Sequence, residues 1–239
     1  MRIVGVVDIH RGRAVHARGG RRSGYAPVSL AGGERVDGDP AALARVYVER
    51  LGVLELYVAD LDAIGGETLN AGLLSDISAL GAPVWVDAGV TTPAAATAVL
   101  EAGASVVIVG LETLMSFDAL ATITRTVGEG QVAFSVDLRN GAPITLPAVD
   151  HSRWSVTQIV RGAAHAGVGT MIVLDLARVG STAGVDLEAM AAVRRAVPDV
   201  ALFAGGGVRS EGDLALLARA GCDGALVATA LLSGALRLT

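Results

Sequence analysis

The chain has 239 residues, of which 52% are hydrophobic and 31 are glycine, with a net charge of −5. That is apolar material for one large core, and the acidic balance argues against nucleic acid as the main partner. Cys222 is the sole cysteine and all 19 basic residues are arginine, which excludes an intramolecular disulfide, a multi-cysteine zinc site and Schiff-base chemistry at a lysine side chain.

Taken in chain order, apolar runs rich in Val, Ile, Leu or Ala predict strands near 2–8, 54–60, 83–87, 105–109, 132–137, 170–175, 201–205 and 224–228. Helical periodicity fills the gaps at 40–51, 69–80, 93–102, 116–127, 155–166, 186–197 and 211–220, with Pro40 at a first-turn position. The first strand starts at Met1 without a charged leader, and no apolar stretch reaches the ~18–20 residues of a membrane span, so a cytoplasmic protein with no membrane partner is expected. Strict alternation of strand and helix predicts a parallel sheet.

The chain also repeats itself. Gly89-Val90 recurs as Gly207-Val208, Ala102-Gly103 as Ala220-Gly221 and Leu114 as Leu232, each 118 positions later. Eight strand–helix units in two equivalent halves predict an α/β protein of the (β/α)8 TIM-barrel class, a single barrel domain over 1–239 built from two similar half-barrels.

The most informative repeat is Val6-Val7-Asp8-Ile9-His10-Arg11-Gly12 with Ser135-Val136-Asp137-Leu138-Arg139-Asn140-Gly141. Each ends an apolar run on an aspartate and then a glycine turn, the way a buried parallel strand delivers a carboxylate to the barrel rim. Asp8 and Asp137 are therefore the candidate acid/base pair, with a purely structural role in the loops as the competing reading. The long connections that follow, 9–39 and 138–154, are rich in arginine and suit an anionic ligand. Arg18 and His10 are candidates for substrate contact there, and His16 lies in the same loop; solvated surface residues are the competing reading. Asp87 and Asp175 are further candidates for substrate contact, although Asp60 and Asp175 also suit a role in holding loop backbone. A cluster of Asp87 with Asp8 and Asp137 has the donors for a divalent metal, but one matching spacing does not establish a site, and neither metal nor cofactor is expected.

Ala204-Gly205-Gly206-Gly207-Val208 closes the seventh strand, and Ala225-Leu226-Val227-Ala228-Thr229 runs the eighth into a short helix. Backbone N–H groups at such places suit a phosphate, so Gly206, Gly207, Ala228 and Thr229 form the expected phosphate site; glycines serving tight turns alone are the alternative.

The order Val7-Asp8-Ile9, Val58-Ala59-Asp60-Leu61, Phe134-Ser135-Val136-Asp137, Asp175-Leu176-Ala177-Arg178 and Ala204-Gly205-Gly206-Gly207-Val208 resembles the histidine-biosynthesis barrels, the HisA/HisF family, over nearly the whole chain. The resemblance is closer to the isomerase branch than to the cyclase, whose pattern needs a lysine near the first aspartate. It implies that Asp8 and Asp137 are the acid/base pair of an aminoaldose-to-aminoketose (Amadori-type) rearrangement, and that the substrate carries two phosphates, one per half-barrel. This chain departs from the isomerase pattern at Asp87-Ala88-Gly89, where that branch has three glycines, and at Leu174 and Val179, where it has a threonine and a second aspartate. A carboxylate at the mouth of a phosphate site repels the dianion, so the first-half site (Asp87, Gly89, Gly110) is expected to be lost or converted. The Asp-Ala-Gly-Val stretch is similar to HisA-like proteins associated with tetrahydromethanopterin or methanofuran one-carbon metabolism. The sequence-level expectation is thus a HisA-like isomerase of a phosphorylated small molecule in one-carbon cofactor metabolism. A true isomerase of histidine biosynthesis and a non-catalytic phosphometabolite-binding barrel are the alternatives.

Overall fold

The computed structural model describes residues 1–17, 24–29, 36–146, 154–181 and 184–238. Eight parallel strands form the wall of a closed barrel: β1 (Arg2–His10), β2 (Glu55–Asp60), β3 (Val84–Asp87), β4 (Val106–Gly110), β5 (Val132–Arg139), β6 (Thr170–Asp175), β7 (Ala201–Gly205) and β8 (Gly224–Val227). Each pairs with its neighbour in sequence, and β8 pairs back onto β1, from Arg2 against Gly224 to Gly5 against Val227. The expected TIM barrel is therefore the fold.

Helices α1 (Pro40–Arg45), α2 (Leu61–Ile64), α3 (Ala71–Ser78), α4 (Pro93–Glu101), α5 (Phe117–Val127), α6 (Val156–His165), α7 (Leu187–Ala196), α8 (Glu211–Arg219) and α9 (Thr229–Leu232) connect the strands. Their starts follow local side-chain chemistry. Thr92, Ser116, Ser155, Asp186 and Ser210 each accept a backbone N–H of the first turn, and Ser155 with Gln158 forms a reciprocal capping box. The helix expected over 40–51 divides at Val46 into α1 and a π-helical turn, Val46–Arg50, closed by the Leu51 N–H to the Val46 carbonyl.

Both repeated aspartate segments continue past the barrel rim as hairpins. β1 turns back onto Arg13–His16 through Arg11 (φ 53°) and Gly12 (φ 67°), and β5 onto Ala142–Pro143 through Asn140 (φ 53°) and Gly141 (φ 79°). Two consecutive positive φ values define the tight hairpin turn whose twist matches that of its strands, which explains the repeated glycine.

Two apolar layers hold the fold. One lies between sheet and helices; the other fills the barrel with Val4, Tyr57, Ala59, Trp85, Ile108, Ala133, Ile172, Phe203 and Leu226. Trp85 and Phe203 meet edge to face with centroids 4.8 Å apart, and the Arg2 guanidinium lies 4.8 Å from the Phe203 ring centre while its Nε donates to Glu55 Oε1 at 2.8 Å. Aromatic packing and this cation thus close the N-terminal end of the barrel and leave the other end for chemistry. Phe203→Ala removes the centre of that plug and is expected to cost about 3–5 kcal/mol; urea unfolding checks it, with retained far-UV dichroism at low urea showing that the barrel still forms.

Candidate active site

Side chains of a strand alternate between its two faces, so the interior cluster fixes the inward register of every strand. Val4 and Val6 put Asp8 inward on β1; Trp85 does the same for Asp87 on β3, and Ala133 and Ser135 for Asp137 on β5. The three aspartates meet in a cavity of about 490 Å³ at the C-terminal mouth of the barrel, with Tyr57, Glu112 and Arg139 also in its wall. The size suits a small ligand.

Asp60 and Asp175 fall on the opposite register and are buried among loop backbone. Asp60 Oδ1 accepts the Ala63 N–H at 3.0 Å and caps α2. Asp175 Oδ1 accepts the N–H groups of Ala177 at 3.0 Å and Asn140 at 3.3 Å, and its Oδ2 lies 3.4 Å from Arg178 Nε. Neither borders the cavity. His10 also stands outside it, with Nδ1 3.1 Å from Asp62 Oδ1, whose carboxylate additionally accepts the Arg11 and Gly12 N–H groups at 2.8 and 2.9 Å. His16 borders the cavity, and Arg18 lies outside the described residues.

Asp8 and Asp137 keep contact with the cavity but are otherwise enclosed by protein. Burial pushes the Asp8 carboxyl up to about 7, and it has no hydrogen-bond partner among the described residues. Asp137 is likewise pushed up to about 7, first by burial and then by the negative charge of Glu112, against the opposing Ser135 hydroxyl, which donates to Asp137 Oδ1 at 2.8 Å; Asp87 adds a further upward push. Tyr57 donates to Asp87 Oδ2 at 3.3 Å, and burial together with Asp87, Asp137 and Asp8 holds its phenol well above its ordinary value. It is a permanent donor in a wall of acids. Tyr47, in the π turn, has a fully buried hydroxyl without a hydrogen-bond partner among the described residues, raised by burial and by the charge of Asp8.

The cavity extends from these acids toward the second half-barrel, where Gly206, Gly207, Ala228 and Thr229 line it. The turn there is tight for steric reasons as well: a Cβ on Gly207 would stand 2.4 Å from the Gly184 carbonyl oxygen. Thr229 and Ala230 open α9 ahead of its first internal bonds, made by Leu231 and Leu232 to the Ala228 carbonyl, so their N–H groups face outward from the helix start. Leu174 and Val179 line the same end and supply no polar atom. Gly89 and Gly110 are absent from the lining. No group of three or more His, Cys, Asp or Glu side chains among the described residues is arranged to hold a metal ion. Tyr57 and Glu112 were not singled out in the sequence; the inward register of Tyr57, shared with Ala59, is the signal that finds the former.

The family model described as histidine biosynthesis protein matches residues 2–237. A Deinococcus radiodurans protein is 33% identical over 238 residues, covering 98% of this chain and 94% of its own length. A Thermus thermophilus protein is 31% identical over 239 residues, covering 100% and 97%, and one from Listeria monocytogenes is 34% identical over 198 residues, covering 82% and 81%. All three are named 1-(5-phosphoribosyl)-5-((5-phosphoribosylamino)methylideneamino)imidazole-4-carboxamide isomerase. No helix among the described residues is long and apolar enough to cross a membrane.

The raised carboxyls fix the sign of a pH effect. A carboxyl that is ordinary in the unfolded chain, near 3.8, but near 7 in the fold makes the unfolded chain lose its proton first, so stability falls as pH rises from about 4 to about 7 and then levels. Asp8→Asn removes that contribution. Its unfolding free energy from urea titration is expected to gain on the wild type progressively across this window, by on the order of 2–4 kcal/mol above pH 7; a difference independent of pH refutes the buried, protonatable Asp8.

Proposed function

The chain belongs to the histidine biosynthesis protein family, and from that premise we propose that it is an isomerase converting a phosphorylated aminoaldose to its aminoketose with Asp8 and Asp137 as the acid/base pair. One observation carries the reading. Two inward carboxyls on β1 and β5, each pushed up to about 7, share a cavity whose far end is lined by backbone amides. The rearrangement needs one group that gives a proton to the ring oxygen as the ring opens and another that takes the proton from C2 and returns it to C1 of the enolamine, while the C2 hydroxyl gives its proton back to the first group as the ketone forms. Near pH 7 both groups are poised between their two states, which matches proton donors and acceptors to the working pH. Tyr57, held protonated, donates within the acid wall, and the amides at Gly207 and Thr229 anchor the phosphate away from the reacting carbons.

The names of the relatives favour the substrate of histidine biosynthesis over the one-carbon role. The one-carbon reading rests on the local Asp87-Ala88-Gly89-Val90 similarity, while Leu174 and Val179 support a changed substrate more generally. Growth of a strain lacking the isomerase, supplied with this chain, separates them: restored growth without histidine supports the first, and failure with a soluble, folded protein supports a different phosphorylated substrate.

The purified protein is expected to turn over the bis-phosphoribosyl substrate named for its relatives. Asp8→Asn and Asp137→Asn should each lower kcat by about 10²–10⁴-fold with little change in KM. Turnover that survives both substitutions overturns the mechanism, and binding without turnover in the wild type supports the non-catalytic alternative. A bell-shaped pH dependence centred near 7 is also expected, its two limbs belonging to the pair rather than to either aspartate alone.

A further inference from the structure

The two halves of the barrel differ directly beneath their repeated aspartates. Asp8 follows Val6 on the inward face of β1, and Asp137 follows Ser135 at the equivalent place on β5. Val6 meets the interior cluster with methyl groups alone. Ser135 puts a hydroxyl in the same layer, 2% exposed, where the paired residues on β4 and β6 are Gly110 and Ile172. A hydroxyl buried there is unfavourable unless it is satisfied, and its hydrogen-bond partner among the described residues is Asp137 Oδ1, at 2.8 Å. Packing is served by the valine of the first half, so packing does not account for the serine. The bond also makes the two oxygens of Asp137 unequal: Oδ1 is held by Ser135, while Oδ2 has no hydrogen-bond partner among the described residues and Asp137 borders the cavity.

We infer that Ser135 is a positioning residue of the reaction: its hydroxyl pins Asp137 Oδ1, fixes the plane of that carboxyl and leaves Oδ2 as the oxygen that exchanges a proton with the substrate. This rests on the reading of Asp137 as one member of the acid/base pair. A carboxyl held by a donor on its own strand, two residues away, keeps its orientation from one turnover to the next, and proton transfer depends steeply on that orientation. With the proton on Oδ2 the hydroxyl still donates to Oδ1, so the bond persists in both protonation states. It is stronger to the ionised state, and there it opposes burial, Glu112 beyond β4 and Asp87 on β3, which all favour the protonated one. The other titratable or charged groups of the cavity wall are Asp8, His16, Tyr57, Arg139 and Arg209, and β6 sets Leu174 beside Asp137.

The test uses the full chain, with turnover of the bis-phosphoribosyl aminoaldose as one readout and a substrate-free titration as the other. Ser135→Ala removes the hydroxyl without adding volume. It is expected to lower kcat by about 10–100-fold with KM within about twofold of the wild type, since no substrate-binding group is touched. Its pH optimum should move upward by roughly 0.5–1 unit, because loss of the donor keeps the Asp137 carboxyl protonated to higher pH. The carboxyl carbon NMR signal of Asp137, assigned by its loss in Asp137→Asn, should titrate higher to the same extent. Ser135→Thr restores a hydroxyl and is expected to recover the wild-type pH profile and most of kcat; the alanine variant decides the matter where the threonine does not fit. Wild-type kcat and pH profile in a folded Ser135→Ala overturn the inference and leave the acid/base pair standing. A loss of kcat with the pH profile and the carboxyl signal unmoved also overturns it, since packing alone accounts for such a loss. A wild type that does not turn over the substrate overturns the inference together with the function on which it rests.

Discussion

Alternation of side chains along the strands of a closed parallel barrel is the constraint on which the rest of this molecule depends. The β1–β8 pairing removes both sheet edges, so each strand has one face toward the helices and one toward the barrel axis. Acids at strand ends are sorted by that register alone. Asp8, Asp87 and Asp137 share the inward face with the interior plug, whereas Asp60 and Asp175 point into backbone that they hold. A one-residue slip of β1 or β5 would exchange a protonatable carboxyl for an aliphatic side chain.

The same register explains why the carboxyls are costly and tolerated. Below them the barrel is filled by Tyr57, Ile108, Phe203 and Leu226, so little water or charge reaches the inner side of Asp8. Desolvation dominates over any partner, and the proton is retained to near neutral pH. Asp137 has Ser135 as a donor, yet Glu112 and Asp87 act in the opposite direction, and the two sites arrive at similar values by different balances. The destabilisation is local, and two continuous apolar layers offset it.

Most of the scaffold was legible in the sequence because parallel strands buried on both faces are short apolar runs, and all eight lie within two residues of their expected limits. The alternation that separated Asp8 from Asp60 was also legible in principle, since Tyr57 and Ala59 share an inward parity from which Asp60 is excluded. Other features depend on contacts distant in sequence. Nothing local to His10 reveals that Asp62, across the loop, takes its ring nitrogen and two backbone N–H groups. The interruption of 40–51 by a π turn is equally non-local, since Tyr47 packs on the bare backbone of Gly5, where a Cβ would lie 3.3 Å from its ring. Glu112 follows a strand end in a short turn, and the pairing of β4 with β5 brings it near Asp137.

The internal symmetry of the chain is therefore a symmetry of scaffold and of inward carboxyls, while the backbone amides at the corresponding turns differ in their partners. Asp8 and Asp137 are equivalent in strand, register, following hairpin and raised protonation, and all of these follow from the fold each half shares. The second half differs in a more fragile feature, the backbone amides of Gly207 and Thr229, which have no partner among the described residues. One carboxylate two residues before Gly89 takes up the corresponding donor in the first half. For this reason the residue at position 87, rather than the retained Gly89, distinguishes the two turns.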